Sequence, residues 1–188
     1  MLGDGDFSFS KALLLGLSSF PDYSACLFVL TSFDSEAELV EKYPETRGFL
    51  KSFSKQSNVI VRHGIDATKS LDHLLQDVTV EFFTDIIFNF PHLAVENAKL
   101  HSCLLGHVVY RSKQVLHSDG TLYISLAEAQ AERWRLHDMV ELNSCRIHEQ
   151  LKFDVYHDWG GLYNIKRHHN AQSFVKRVGA CACYCIKR

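Results

Sequence analysis

Apolar positions along this chain fall in short continuous runs, each followed by a polar loop and then by helical spacing. Ala25-Cys-Leu-Phe-Val-Leu30 is such a run, predicting a strand that ends in Thr31-Ser32-Phe33-Asp34. Ser35 and Glu38 then stand at capping-box spacing, where each side chain accepts the other residue's backbone N–H, and predict a helix over Glu36–Tyr43 stopped by Pro44. A second helix follows at Thr46–Ser54 and a strand at Asn58–Arg62. After Gly64-Ile65-Asp66-Ala67-Thr68, the residues Leu71, Leu74, Leu75 and Val78 keep helical spacing. Phe82–Phe88 predicts a strand closed by Asn89-Phe90-Pro91-His92. A long helix over Asn97–Leu116 is predicted to bury a stripe of Leu100, Leu104, Val108, Val115 and Leu116. His117–Gly120 is a turn, Thr121–Leu126 a strand, and Val140–Ile147 and Gly179–Ile186 are further strand candidates. Apolar strands alternating with helices predict an α/β fold, a mostly parallel sheet with helices on both faces.

The length of 188 residues fits a single domain, 1–188, able to bury a core without disulfide or metal. No apolar run reaches ~18 residues, so no membrane-spanning helix is expected, and the residues after Met1 carry no secretory pattern. An intracellular, reducing setting with free thiols follows. Cys181, Cys183 and Cys185 alternate along one stretch, which suits a packed final strand better than a zinc knuckle. The net charge of −2 hides an asymmetry: residues 1–100 hold 14 acidic and 8 basic side chains, residues 101–188 hold 8 and 12. The terminal segment 159–188 carries no carboxylate side chain. It suits an anionic partner such as RNA, the alternative being a solvated surface.

Parallel sheets bind ligands beyond the carboxyl ends of their strands, so chemistry is expected in the loops there. Gly3 and Gly5 allow close backbone approach, and a helix starting near Phe7 offers N–H groups to a carboxylate. Asp4 and Asp6 suit a cationic ligand carrying an ammonium and a sulfonium, the alternative being a plain Asp-Gly turn. Asp34 can take two ribose hydroxyls or act as a helix N-terminal acid. Asp66, followed by Ala67, can accept from an adenine amine or cap the next helix. In Asn89-Phe90-Pro91-His92 an amide oxygen and backbone carbonyls can accept from a nitrogen about to be methylated. Pro91 fixes the loop, Phe90 or His92 can stack on a base, and His92 can act as a general base. The alternative is an ordinary turn.

Gly3-Asp-Gly-Asp-Phe-Ser-Phe-Ser10 resembles the Gly-Glu-Gly-Asp-Phe-Ser-Phe-Ser signature of the eukaryotic 25S ribosomal RNA (uridine-N3)-methyltransferase-like domain family. The same domain also occurs in the ferredoxin-fold anticodon-binding domain-containing protein. Thr31–Ser35 with Lys42-Tyr43-Pro44, Gly64–Lys69 and Phe88–His92 resemble the following blocks. Asp119-Gly120, Trp134, Phe153-Asp154 and Tyr163–Arg167 match the later half more loosely. The resemblance implies a Rossmann-like methyltransferase fold, S-adenosylmethionine as cofactor, ribosomal RNA as partner and substrate, and a nuclear or nucleolar setting. It implies that Gly3, Asp4, Gly5, Asp6, Phe7 and Ser8 form the methionine-side loop. Asp34 would hold the ribose, Asp66 and Ala67 the adenine, and Asn89, Pro91 and His92 the target base. Phe90 and Tyr163 would stack on bases, while Lys166, Arg167 and His168 hold phosphates.

Three departures stand out. Only Met1-Leu2 occupy the place of the family's first strand, which predicts that a preceding strand would stabilise the sheet. Gly160-Gly161-Leu162-Tyr163 replaces a Tyr-Pro-Gly-Tyr segment, and Asp4 replaces the commoner Glu. Two functions remain open at this level: an RNA methyltransferase acting at uridine N3, and a non-catalytic module that keeps the fold and binds RNA or a partner.

Overall fold

A computed structural model describes residues 1–127, 129–154, 162, 163 and 181–188. The chain divides into two compact units, one of Met1–Ile65 with Asp154–Arg177, the other of Asp66–Phe153 with Val178–Arg188.

In the first unit, helix α1 (Ser8–Leu17) precedes strand β1 (Phe28–Thr31), helices α2 (Glu36–Lys42) and α3 (Thr46–Phe53), and strand β2 (Val59–Arg62). β1 and β2 pair in parallel, Phe28 opposite Val59 through Thr31 opposite Arg62. The residues before the glycine loop extend that ladder: the Met1 amine donates to Val29 O (2.8 Å), and Thr31 N donates to Met1 O (3.0 Å). The capping box is present, Ser35 Oγ accepting from Glu38 N and Glu38 accepting from Ser35 N. Ala25, the first residue of the apolar run, closes a short 3-10 turn over Pro21–Ala25, so the strand starts later than the run, at Phe28. Phe7, Leu14, Leu30, Leu39, Tyr43 and Phe53 form the core, with Phe7 edge-on to Phe53 at 6.0 Å.

The second unit holds β3 (Phe83–Asn89), α4 (Ala98–Val115), β4 (Leu116–Ala127), α5 (Gln130–Arg133), α6 (Leu136–Leu142), β5 (Arg146–Phe153) and β6 (Cys181–Lys187). Its sheet runs β3-β4-β6-β5. β3 and β4 are parallel, whereas β6 is antiparallel to both β4 and β5. Ile86, Leu105, Val108, Leu122, Ile124, Leu126, Leu136 and Val140 are buried in it.

Several expected elements take another form. The 71–78 segment is a 3-10 turn over Asp72–Leu75 rather than an α-helix, and Asp77 at φ 62° breaks its continuation. The 140–147 segment is not a strand: α6 runs to Leu142, Ser144 at φ 53° turns the chain, and β5 begins at Arg146. The buried face of α4 passes through His101, Leu105, Val108, Ser112 and Val115, leaving Leu100 exposed.

The expected turn at His117–Gly120 lies inside β4, where the pairing with β3 skips between Phe83 and Asp85. At Gly120 a Cβ would stand 2.9 Å from Thr84 O and 3.0 Å from His117 O. Both are backbone atoms that cannot rotate away. Gly120→Ala is therefore expected to destabilise by about 1–3 kcal/mol, the usual cost of overpacking. A urea midpoint equal to wild type at equal slope would show that the bulge adapts freely.

Candidate functional site

The glycine loop sits against the end of β1. Gly3 has φ 56°, a left-handed conformation open to glycine, and donates to Thr31 Oγ1 at 3.1 Å. Asp4 and Asp6 are buried. Asp4 Oδ2 accepts from Ser10 N (2.7 Å) and Asp6 Oδ1 from Ser8 N (3.0 Å). The first-turn N–H groups of Ser8 and Ser10 in α1 thus serve these two side chains, not a ligand carboxylate as the sequence suggested. Phe7 turns the chain into the helix at φ 59°, and its ring is fully buried. Burial, followed by the nearby charge of Asp6, pushes the Asp4 carboxyl up to about 7, against the Ser10 hydrogen bond that lowers it.

Asp34 follows β1 and is ion-paired with Lys42 at 2.6 Å. The helix-capping alternative belongs to Ser35 instead. The Ser32 hydroxyl donates to Asp34 O at 2.8 Å and lies 2.7 Å from His63 Nδ1. Its single hydrogen being used, Nδ1 must carry the proton of that second bond. Burial holds His63 below the ordinary imidazole range. The sequence showed Lys42 as part of the second resemblance block but not its pairing with Asp34, and His63 went unnoticed, since neither spacing nor period marks it.

In the second unit, Asp66 Oδ1 accepts from Thr68 N (2.9 Å) and Thr68 Oγ1 (2.7 Å). This closes a local turn and caps no helix, since the following 3-10 turn has Leu71 at its N-cap; Ala67 beside it is buried. At the end of β3, the Asn89 amide oxygen accepts from Ser125 Oγ at 2.7 Å. One lone pair of the oxygen expected to face a substrate nitrogen is thereby engaged within the fold. Phe90 adopts φ 49°, donates its N–H to Ser125 O (2.9 Å) and meets Phe153 edge-on at 5.5 Å. A left-handed aromatic residue is strained, and such strain clusters at functional loops. Pro91 is buried and His92 exposed.

The loop after Pro91 is pinned from below. His101 is fully buried on α4, with Nδ1 2.8 Å from Asn97 O and Nε2 accepting from Leu93 N at 3.1 Å. Both contacts are met by the neutral tautomer protonated at Nδ1. Its ring stacks on Trp134 at 4.2 Å, and His92 lies 4.7 Å above it. His92 Nε2 meets Glu96 Oε1 at 3.2 Å, and Glu96 also pairs with Arg133 at 3.2 Å. The His92 hydrogen bond holds the Glu96 carboxyl below its ordinary range.

Tyr163 is buried and edge-on to Phe9 at 5.1 Å, so its ring is taken up by packing rather than held out to stack a base. Lys166, Arg167 and His168 lie outside the described residues. All six cysteines are free, the three of β6 among them. Among the described residues no cluster could hold a metal ion, and no helix is long and apolar enough to cross a membrane.

Residues 1–167 match the family described as BMT5-like, rRNA (uridine-N3-)-methyltransferase BTM5-like. The chain belongs to this family. It is also 29% identical over 147 residues to heavy metal-associated isoprenylated plant protein 41 of Arabidopsis thaliana, covering 74% of this chain and 27% of that protein. The chain thus spans about a quarter of that curated relative. Among solved structures, LepI in complex with SAM aligns at TM-score 0.54 and 7% identity, over 99% of this chain and 41% of that one. The 30S ribosomal A1408 methyltransferase from an uncultured bacterium aligns at TM-score 0.50 and 13% identity, over 99% and 83%. These likenesses show the fold: a Rossmann-like methyltransferase α/β fold, with β1-β2 parallel in the first unit and, in the second, parallel β3-β4 followed by antiparallel β6.

The acidic loop fits a sulfonium cofactor. Two buried carboxylates stand together here, with the Met1 amine the positive charge that acts on Asp4, and a ligand bearing an ammonium and a sulfonium adds charge of the matching sign.

Proposed function

We propose that this chain is a methyltransferase domain that uses S-adenosylmethionine to methylate N3 of a uridine in large-subunit ribosomal RNA. The same reading places its work in the nucleus or nucleolus. Family membership supports the reaction class, and the observation that carries the cofactor is the pair of buried carboxylates Asp4 and Asp6 in the loop after left-handed Gly3. When bound, the cofactor supplies a methyl group on a positively charged sulfur. The chain's own part is to bind, orient and manage one proton, because the uridine N3 proton must leave. His92 would accept it. Glu96 engages Nε2, which favours the tautomer protonated there and leaves the Nδ1 lone pair as the base. A general base of this kind contributes about 10²–10⁴-fold. The basic residues Lys166, Arg167 and His168 would hold phosphates of the RNA.

Calorimetry with S-adenosylmethionine tests this reading. A cation arriving beside Asp4 lowers its pKa, so binding at pH 7 should release up to about half a proton, seen as a dependence of the heat on buffer ionisation. Binding without proton release would place the cation elsewhere. Absence of binding, with RNA binding retained, would leave a non-catalytic RNA-binding module.

A further inference from the structure

The Asn89 side chain presents the wrong half of its amide for a substrate amine. Asn89 is only 8% exposed, at the carboxyl end of β3. Its oxygen is taken by Ser125 Oγ at 2.7 Å. Its Nδ2, a donor of two hydrogens, has no hydrogen-bond partner among the described residues. The amide is held in this sense from behind. A carbonyl oxygen only accepts, so the Ser125 hydroxyl must donate to it. Cys183 of β6 sits opposite Ser125 in the ladder. The Cys183 thiol also meets the Ser125 side chain, and burial pushes it up to about 11, so it keeps its proton and can donate to Ser125 Oγ, leaving the hydroxyl hydrogen for Asn89 Oδ1. A buried N–H without an acceptor is costly, a cost that a bound acceptor would cancel.

We propose that Asn89 Nδ2 donates a hydrogen bond to a ring carbonyl oxygen of the target base, making the end of β3 an element that selects uracil. This rests on the reading of the chain as a uridine-N3 methyltransferase. Uracil N3 lies between two carbonyls, so any residue addressing N3 meets an acceptor on each side. Cytosine has an amine donor in place of one of them, and adenine carries an amine at the corresponding edge. Against either amine, a fixed donor is repulsive and stays unpaired. The same bond strengthens during the reaction. As the N3 proton passes to a base, the negative charge left on N3 spreads onto both carbonyl oxygens. The N3 pair then takes the methyl carbon, and the electrons of the carbon–sulfur bond stay on sulfur. A donor already in place at the carbonyl oxygen stabilises the developing charge.

The test compares wild type, Asn89→Asp and Ser125→Ala on RNA oligonucleotides carrying one uridine, 2-thiouridine, 4-thiouridine or cytidine, with S-adenosylmethionine affinity measured separately. Asn89→Asp keeps the shape but replaces the donor with an acceptor, and is expected to lower kcat about 10²–10³-fold with cofactor affinity unchanged. Ser125→Ala leaves Asn89 in place but frees the amide to turn, and is expected to lower kcat about tenfold. This second variant carries the test should Asn89→Asp fail to fold. One of the two thio-substituted oligonucleotides, whose sulfur is a poorer acceptor, should slow wild type more than Asn89→Asp, and it identifies the carbonyl. Wild-type kcat in both variants, or equal thio effects in wild type and Asn89→Asp, would overturn the inference alone. Wild type inactive on every uridine oligonucleotide while binding S-adenosylmethionine would overturn the uridine reading itself and this inference with it.

Discussion

Trp134→Ala is expected to destabilise the protein by about 3–5 kcal/mol, the range for losing a large buried aromatic side chain. Trp134 is 1% exposed, stacks on His101 at 4.2 Å with an 11° tilt, and lies 6.1 Å from His92. Removing it takes away the surface that holds the His101 ring, which in turn accepts the Leu93 N–H of the Asn89–His92 loop. Trp134→Phe should behave very differently. The indole Nε1 is buried without a hydrogen-bond partner among the described residues, and a phenyl ring removes that donor along with some volume. The relief of an unpaired N–H, about 1–3 kcal/mol, offsets much of the lost packing. The expected net change is within about 1.5 kcal/mol. Urea unfolding of both variants checks this. Equal losses for Phe and Ala would mean that the indole nitrogen has a partner and that the hydrogen bond, not the stack, holds the loop.

The same cluster shows what can be read from a sequence and what cannot. Signals confined to a few neighbouring residues survive folding, because their chemistry is complete locally. The Ser35–Glu38 box forms as its spacing requires, and α3 starts at Thr46 as expected. Val108 and Val115 of the α4 stripe are buried as expected, but the face continues through His101 and Ser112 rather than Leu100. Hydrophobic periodicity counts both as surface residues, yet His101 buries at no polar cost once Asn97 O and Leu93 N satisfy its two nitrogens. β5 is almost wholly exposed and polar, so no apolar run announces it and the neighbouring apolar positions drew the expected strand too early. At the site, the loops at the strand ends were legible as motifs. Their internal wiring was not. Lys42 against Asp34, and Ser125 against the Asn89 oxygen, join residues 8 and 36 positions apart, and only the fold decides which oxygen of a motif residue remains for a ligand.

Asp4→Asn is expected to remove a fall in stability between pH 4 and pH 6. The Asp4 carboxyl has its ordinary value of 3.8 in the unfolded chain and about 7 in the folded one. Between those values the folded state keeps a proton that the unfolded state has released, so this residue's contribution to stability decreases as pH rises. Each pH unit inside the window is worth at most about 1.4 kcal/mol. The variant should therefore gain about 2–3 kcal/mol on wild type from pH 4 to pH 6. Glu38 and Glu96, both held below their ordinary range, make stability rise with pH, but equally in both proteins. The Met1 amine, which burial lowers to about 6, titrates mainly above the window. Parallel urea-midpoint curves for the two proteins would show that Asp4 ionises normally in the fold. The same residue then predicts how ligand and pH interact. A bound cation restores the ionised carboxylate, so S-adenosylmethionine should stabilise wild type more at pH 7 than at pH 5, while the asparagine variant, having no proton to release there, should show the same increment at both.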